Sequence, residues 1–361
     1  MVHVITTIER GGAENAIAAL AQIQVNKGYK VFIVPLKGNL ELLESLQASG
    51  VQVDTSLISK SFLNQVFCMR RRYKDPHIFH AHLPRAELLL RLSKPKSGFY
   101  VTRHNTERFF PKSNSLFSKR LSRFVLQKSL GVISISKAVR DYLLNSKEIS
   151  SRTPNCIIHY GYTERIKRSR NINLILSDDM RVLRLGTIGR LAPQKNLIML
   201  IEFANLLRDV QIDFQIQIAG EGPERNRIED KLHDEQLEQE VQLLGKISDV
   251  SSFLISQDFF IFTSNYEGLG LVLLEAMDAG LPIVAPRNSA IPEVIGENHP
   301  GLFVSGDLNS LFKTFMTMLC SPAIQRQALQ IQSLRLLEFN MENFFNSHHN
   351  FYDNVETSEQ R

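Results

Sequence analysis

Two carboxylates eight residues apart, Glu267 and Glu275, stand in the segment Asn265-Tyr266-Glu267-Gly268-Leu269-Gly270-Leu271-Val272-Leu273-Leu274-Glu275-Ala276-Met277. Gly268 and Gly270 let the backbone come close to a ligand, and a helix starting near Gly270 would aim its free N–H groups and positive dipole end at an anion. Glu267 would then lie at the mouth of the site. Glu275 would lie inside the helix, beside Leu273, Leu274, Ala276 and Met277, where an unpaired carboxylate is costly to bury. A ligand carrying both a phosphate and sugar hydroxyls satisfies this layout, with the phosphate on the backbone of Gly268, Leu269, Gly270 and Leu271 and a carboxylate left to accept from hydroxyls. Taken alone, the pair could equally be an ordinary helix residue and a helix-start charge, the latter stabilising by about 0.3–1 kcal/mol.

Arg190 and Lys195 follow an apolar run ending at Ile188, the position where open α/β sheets bind ligands. Two cations there could neutralise a diphosphate, each charge-assisted hydrogen bond contributing about 1.5–3 kcal/mol. Otherwise they are solvated loop charges. Gly11-Gly12 closes the first apolar run and opens a helical pattern, so the N–H groups near Gly12 could approach phosphate or sugar oxygens. Gly220, Gly222 and Pro223 suit the floor beneath a nucleotide base, although any tight turn would use the same residues. His80 and His82 share a face if their strand continues that far, and His104 follows the next run. A zinc site would need further ligands at suitable spacing, which the sequence does not supply. Asp178-Asp179 lacks the Asp-x-Asp spacing of a metal-bound diphosphate, so no metal is expected.

The Glu-x7-Glu spacing, with Glu-Gly-Leu-Gly leading and Leu-Glu-Ala-Met following, resembles the signature of the family 4 glycosyltransferases, retaining enzymes of GT-B fold. Gly186-Thr187-Ile188-Gly189-Arg190-Leu191 with Gln194-Lys195-Asn196 is similar to that family's donor loop, and Ala219-Gly220-Glu221-Gly222-Pro223 to its nucleotide turn. Gly280 to Ala285, Pro292 to Ile295 and Gly11 to Glu14 complete the ordered set, which spans nearly the whole chain. The resemblance implies that Glu275 binds the nucleotide ribose, Glu267 lies by the donor sugar, and Arg190 and Lys195 hold the diphosphate. Gly12, Gly220, Gly222 and Gly268 to Leu271 complete the donor site. Catalytic roles fall on Glu267, Arg190, Lys195 and His104, while His80 or His82 contacts the acceptor. It further implies metal-independent, retaining transfer from a nucleotide sugar, UDP more often than GDP, to a glycan or lipid-linked glycan. The nucleotide sugar is a substrate, no cofactor is required, and bacterial surface polysaccharide or lipopolysaccharide synthesis is the commonest setting.

At 361 residues, with 43% hydrophobic and 22% charged, the chain has the length and composition of two globular domains. Short β-branched runs alternate with helical patterns, which predicts two doubly wound parallel sheets. The first is assigned to residues 1–165, with 341–361 packing back on it; 166–180 is a polar hinge, and 181–340 forms the nucleotide-sugar domain. No apolar run approaches the roughly 20 residues of a spanning helix, no signal peptide is legible, and the three cysteines form neither a disulfide framework nor a zinc pattern. A cytoplasmic setting is expected.

The net charge of +5 conceals an imbalance: residues 1–175 hold 28 Lys and Arg against 11 Asp and Glu, and the remainder 14 against 26. Such a basic half suits an anionic bilayer or a phosphorylated acceptor; no nucleic-acid motif accompanies it. In the stretch 116–130 the stripe Phe117, Leu121, Phe124 and Val125 is expected to pack on the sheet, leaving Lys119, Arg120 and Arg123 for peripheral contact with anionic lipid. Two rivals share the fold: a nucleotide-sugar epimerase, which needs no acceptor, and a non-catalytic carbohydrate-binding protein. A nicotinamide dehydrogenase lacks its Gly-x-Gly-x-x-Gly.

Overall fold

The computed structural model describes residues 1–73, 78–110, 113–164, 166 and 182–359. The proposed hinge, apart from Ile166, lies outside the described residues. Two compact units emerge, Met1–Tyr162 with Phe339–Arg361, and Thr163–Glu338. Each is a doubly wound, Rossmann-like domain of the GT-B kind.

The first sheet contains β1 (Val2–Ile5), β2 (Phe32–Pro35), β3 (Gln52–Val53), β4 (Phe79–His82), β5 (Tyr100–Arg103), β6 (Gly131–Ser134) and β7 (Asn155–Ile157), in the order β3-β2-β1-β4-β5-β6-β7. All its pairs are parallel, and four of its strands are buried at every residue, as a sheet covered on both faces requires. Its order reverses between β1 and β4, whose register sets His3 beside His80. The last helix, Met341–Glu359, packs on helix Gly12–Asn26, and Lys27 pairs with Glu342 at 2.9 Å.

The second sheet contains β8 (Leu183–Ile188), β9 (Phe214–Ala219), β10 (Val241–Gly245), β11 (Phe259–Ile261), β12 (Ile283–Pro286) and β13 (Leu302–Phe303), again parallel and ordered β10-β9-β8-β11-β12-β13. Its order reverses between β8 and β11. Leu185, Leu200, Phe203, Phe259 and Phe315 are fully buried in its core, so both strands at this switch point are held rigidly from below. Sequence periodicity misses β13, because two residues carry no period.

Candidate functional site

At the second domain's switch point, three loops are drawn together by glycines. Gly220 has a φ of +143°, and a Cβ there would lie 1.9 Å from the Gly189 carbonyl oxygen; one at Gly222 would lie 2.2 Å from that of Leu191. Leu191 N–H donates to Glu221 O at 3.0 Å, extending the β8–β9 pairing into the loops. The turn Pro193–Lys195 is stitched to the loop after β11: Gln194 Nε2 donates to Tyr266 O at 2.7 Å, Asn265 N–H to Gln194 O at 2.8 Å, and Thr263 Oγ1 to Lys195 O at 2.9 Å. Lys195 Nζ meets Glu267 Oε1 at 2.5 Å, 5.0 Å from the centre of the Phe262 ring. The Glu267 N–H donates to Ser289 Oγ at 2.8 Å. Asn196 and Ser289 hold left-handed backbone conformations, at φ +48° and +44°. Such strain concentrates where a site is over-determined by its surroundings.

Gly270, at φ +88°, starts helix Leu271–Asp278, whose first turn has neither a capping side chain nor an acidic residue, so its N–H end is available to an anion. Leu269 is buried, Leu271 half-buried, and Glu275 half-buried in the body of the helix. Arg190 is exposed and has no ion pair or hydrogen bond with another described residue. Of the two cations the sequence assigns to a diphosphate, Arg190 therefore stands unpaired and Lys195 is engaged by Glu267.

In the first domain, Gly12 opens helix Gly12–Asn26, but Glu14 sits against that start: a Cβ on Gly11 would lie 2.4 Å from Glu14 Oε2. Thr7 Oγ1 donates to Glu14 Oε1 at 3.1 Å, and burial raises this carboxyl's pKa. The histidines differ from expectation. His80 and His82 are both about 1% exposed, because β4 continues through His82 into the interior. His80 bonds Tyr352 Oη and Thr102 Oγ1, each at 2.7 Å; His82 bonds His3 Nδ1 at 3.1 Å and His104 Nε2 at 3.3 Å. Neither offers a nitrogen to an acceptor, so the direct contact expected of them is corrected to an internal one. His104 is half-buried, and its Nδ1 meets Tyr160 Oη at 2.5 Å.

His3, which no sequence pattern singles out, brings a nitrogen within 4.8 Å of nitrogens on His80 and His82, close enough for a cation. Both His80 nitrogens are nevertheless spent on hydrogen bonds, and the lone pair between His3 and His82 is shared with an N–H, so the bonding in place does not leave three free donors. Beside His104 opens a cleft lined by Glu87, Arg103, Asn105, Arg108 and Phe109 among others. Arg103 Nε lies 3.1 Å from Glu87 Oε2 and its Nη1 3.5 Å from Glu148 Oε2, all three side chains buried, with the guanidinium over the Phe109 ring. One cation between two buried carboxylates leaves one negative charge unmatched. Burial pushes Glu87 up to about 7, a shift that Arg103 opposes and Glu148 adds to.

Helix Ser115–Leu126 departs from expectation in part: Val125 is buried and Leu121 half-buried, but Phe117 and Phe124 are exposed. Its buried face is Ser118, Ser122, Val125 and Leu126, whereas Leu116, Phe117 and Phe124 are 68%, 58% and 40% exposed. On helix Phe62–Arg72, Leu63 and Phe67 are likewise exposed beside Arg70, Arg71 and Arg72. Helix Pro84–Ser93 lies between the two, and its Arg91 stacks over Phe124 at 4.1 Å. The two serines face inward because they are bonded there: Ser118 Oγ accepts from the Phe110 N–H at 3.0 Å, and Ser122 Oγ accepts from Arg103 Nη2 at 2.6 Å and donates to Glu148.

Residues 10–161 match the family model described as Glycosyltransferase Family 4, and residues 174–327 that described as Glycosyl transferases group 1. The chain belongs to glycosyltransferase family 4. It is 27% identical over 245 residues to the alpha-monoglucosyldiacylglycerol synthase of Streptococcus pneumoniae, covering 65% of this chain and 54% of that one. It is 28% identical over 209 residues to the N-acetylgalactosamine-N,N'-diacetylbacillosaminyl-diphospho-undecaprenol 4-alpha-N-acetylgalactosaminyltransferase of Campylobacter jejuni, covering 57% and 55%. The chain spans about half the length of the curated relatives it matches. Among solved structures, Anabaena HepE in complex with UDP and glucose superposes with a TM-score of 0.79 at 17% identity, over 98% of this chain and 99% of that one.

For a family 4 chain, the residues that sequence reasoning missed are those of the first domain: His3, Gln24, Glu87, Arg103, Glu148 and Tyr160. Their only sequence signal was a polar residue inside an apolar run, as at His3 and Arg103.

Proposed function

We propose that this chain is a retaining, metal-independent glycosyltransferase that moves a sugar from a UDP-linked donor to a glycan or lipid-linked glycan acceptor. The observation that carries this reading is the convergence, at the β8–β11 switch point, of the unpaired Arg190, the Lys195–Glu267 pair and the uncapped start of helix Leu271–Asp278. Open α/β sheets bind their ligands at such a point. The choice of UDP over GDP is supported by the UDP and glucose named in the HepE complex, and the lipid-linked acceptor by the lipids named in the two relatives.

In this reading Glu275 accepts from the ribose diol, while Arg190 and the helix N–H groups hold the diphosphate. Lys195 exchanges its carboxylate for phosphate oxygen when donor arrives, which frees Glu267 to accept from the donor sugar. As the bond from C1 to phosphate oxygen breaks, the negative charge grows on the diphosphate where these donors already point, so they lower the barrier without reorganising. The acceptor hydroxyl attacks C1 from the same face and passes its proton to the departing phosphate. Configuration is thereby retained.

No helix among the described residues is long and apolar enough to cross a membrane. The row of helices Phe62–Arg72, Pro84–Ser93 and Ser115–Leu126 instead offers exposed Phe67, Phe117 and Phe124 among basic side chains, a composition suited to peripheral docking on an anionic bilayer. This would bring the enzyme to lipid-linked substrate at the inner face of the cytoplasmic membrane, in surface polysaccharide or lipopolysaccharide assembly.

A thermal-shift screen over UDP, GDP and ADP tests the donor: a ligand at 100 times its dissociation constant stabilises by roughly 2.7 kcal/mol. UDP is expected to give the largest shift, and Glu275→Ala to lose it. Transfer from UDP-sugar should survive EDTA and keep the anomeric configuration by NMR. Turnover of donor with no acceptor present would favour the epimerase, and an absolute metal requirement or an inverted product would overturn the mechanism.

A further inference from the structure

Helix Met341–Glu359 lays one buried stripe on the first domain, Phe344, His348, Tyr352 and Val355, with Phe345 beside it. His348 is the unusual member. Its ring is 2% exposed, its Nδ1 donates to Phe344 O at 2.8 Å within the helix, and its other neighbours are rings: Phe344, His80 and Tyr352, at centroid distances of 4.7, 5.9 and 6.1 Å. Tyr352 Oη meets His80 Nδ1 at 2.7 Å, and Tyr100 Oη donates to Tyr352 O at 3.2 Å. Lifting this helix therefore uncovers two imidazoles, His348 on the helix and His80 beneath it.

The groups around these two rings offer no counter-charge. His3 faces them from β1, His82 lies beside His80 on β4, and His104 follows β5 with Arg103 next to it. His349 faces His348 from the same helix, and the Met1 ammonium faces His3 and His349. Tyr100 and the Cys156 thiol face Tyr352. All of the basic groups are cations or become cations on protonation. The nearby carboxylates point elsewhere: Asp353 faces His349, Glu14 acts on Tyr160, and Glu342 pairs with Lys27 at the surface. Among the described residues, none of His3, His80, His82, His104 and His348 forms an ion pair with a carboxylate. Desolvation accordingly lowers His348 to about 3 and carries His80 well below its ordinary value.

The helix can also leave without the sheet. A helix keeps its backbone hydrogen bonds when it moves as a unit, whereas β1 and β4 would lose bonds to both neighbouring strands. Undocking Met341–Glu359 breaks side-chain packing, the two bonds of Tyr352 and the exposed Lys27–Glu342 pair, but no strand pairing.

We propose that helix Met341–Glu359 is an acid-released clasp: protons taken up by His348 and His80 on exposure drive the helix off the first domain while the sheet stays folded. Docked imidazoles hold a proton less readily than exposed ones, so docking is fully favourable above about pH 6.5 and weakens as pH falls below it. Each uncovered imidazole favours the undocked form by about tenfold per pH unit, and two by about a hundredfold. The release reaches the strand-end chemistry. Phe344 meets the Tyr160 ring edge-on at 6.3 Å, and a Cβ at Gly161 would lie 2.5 Å from Met341 Sδ, so the helix supports the residue that holds His104 Nδ1.

Amide hydrogen exchange of the full-length chain from pH 7 to pH 5, corrected for the intrinsic rate at each pH, tests the clasp. Helix Leu197–Asp209, which contains no histidine, serves as the standard. Protection over Met341–Glu359 is expected to fall by about a hundredfold for each pH unit below 6.5, ahead of β1 and β4, and by about tenfold in His348→Phe. Protection that follows the standard helix, simultaneous loss from β1 and β4, or undiminished steepness in a folded His348→Phe overturns the proposal. If that variant does not fold, the wild-type series decides. That release also silences transfer rests on the reading above: UDP-sugar transfer should fall over the same pH range and return at pH 7. Exchange as expected from a chain that transfers no sugar would reject the transferase reading and leave the clasp standing.

Discussion

The two domains build their strand-end chemistry by opposite means. In the second, the site is made of backbone: Gly189, Gly220, Gly222 and Gly270 bring short loops into contact, and the charged side chains are added at the rim. In the first it is made of side chains, since His3, His80, His82 and His104 reach one another across β1, β4 and the end of β5, the first three buried and His104 half-buried, with desolvation lowering the pKa of all four. A backbone-built site should be intolerant of any Cβ at its glycines and indifferent to mild acid. A site of buried imidazoles should behave in the opposite way.

The largest effect expected to test that contrast is Gly220→Ala. Its Cβ would meet a carbonyl oxygen at 1.9 Å and hold a φ of +143°, so the loops must part. We expect UDP binding to vanish and stability to fall by about 3 kcal/mol or more, read by thermal shift and UDP titration. Gly280→Ala, at φ +69° with nothing within 4 Å, should cost only the left-handed penalty of about 1–2 kcal/mol and leave binding intact. Equal costs at the two glycines would break the comparison.

Acid provides the converse test. The depressed pKa values of His3, His104 and His348, near 4, 3 and 3, lie below the ordinary 6.5, as do those of His80 and His82. Between pH 6.5 and those lower values the unfolded chain binds more protons than the folded one, so stability is lost as pH falls, by up to about 1.4 kcal/mol per pH unit for each group. Hydrogen exchange from pH 7 to pH 5 should show first-domain strands losing protection before β8 and β9. Glu87 works in the other direction. Raised to about 7 from 4.5, it makes the folded state the better proton binder in that window, so its contribution declines as pH rises through it. Glu87→Gln should flatten that component, and an unchanged pH–stability curve would deny that the carboxyl is buried as described.

Smaller effects test the rim of the second site. Arg190→Ala and Lys195→Ala should each lower kcat by at least roughly tenfold, about 1.4 kcal/mol of barrier. Removing Lys195 strands the Glu267 carboxylate, so Lys195→Ala should also cost stability, whereas Arg190→Ala should not. Identical stability losses in the two variants would contradict the pairing. Smallest per residue is the proposed bilayer contact, about 1 kcal/mol for each cation near the surface. Changing Lys119, Arg120 and Arg123 together to Glu should abolish co-sedimentation with anionic vesicles at low salt. Binding by that triple variant at wild-type strength would remove the docking face.

What the sequence determined by itself is the second domain's architecture and rim. Glycines, charges and helix start all fall within windows of about ten residues, where local backbone preference and strand-end position suffice to bring them together. The periodicity of apolar runs likewise fixed two doubly wound sheets. Only tertiary structure decided the first domain's interior. His3 meets His82 because β1 pairs with β4, Tyr352 reaches His80 because the last helix returns to this domain, and Gln24 reaches His3 from a helix face that no local pattern marks as special. It also decided which way helix Ser115–Leu126 faces, since Ser118 and Ser122 find their hydrogen-bond partners in Phe110, Arg103 and Glu148 on the domain side. A hydrogen bond between residues 272 positions apart, as between His80 and Tyr352, depends on strand order and on how distant elements pack, whereas a glycine's freedom and a loop's charge belong to the residue itself.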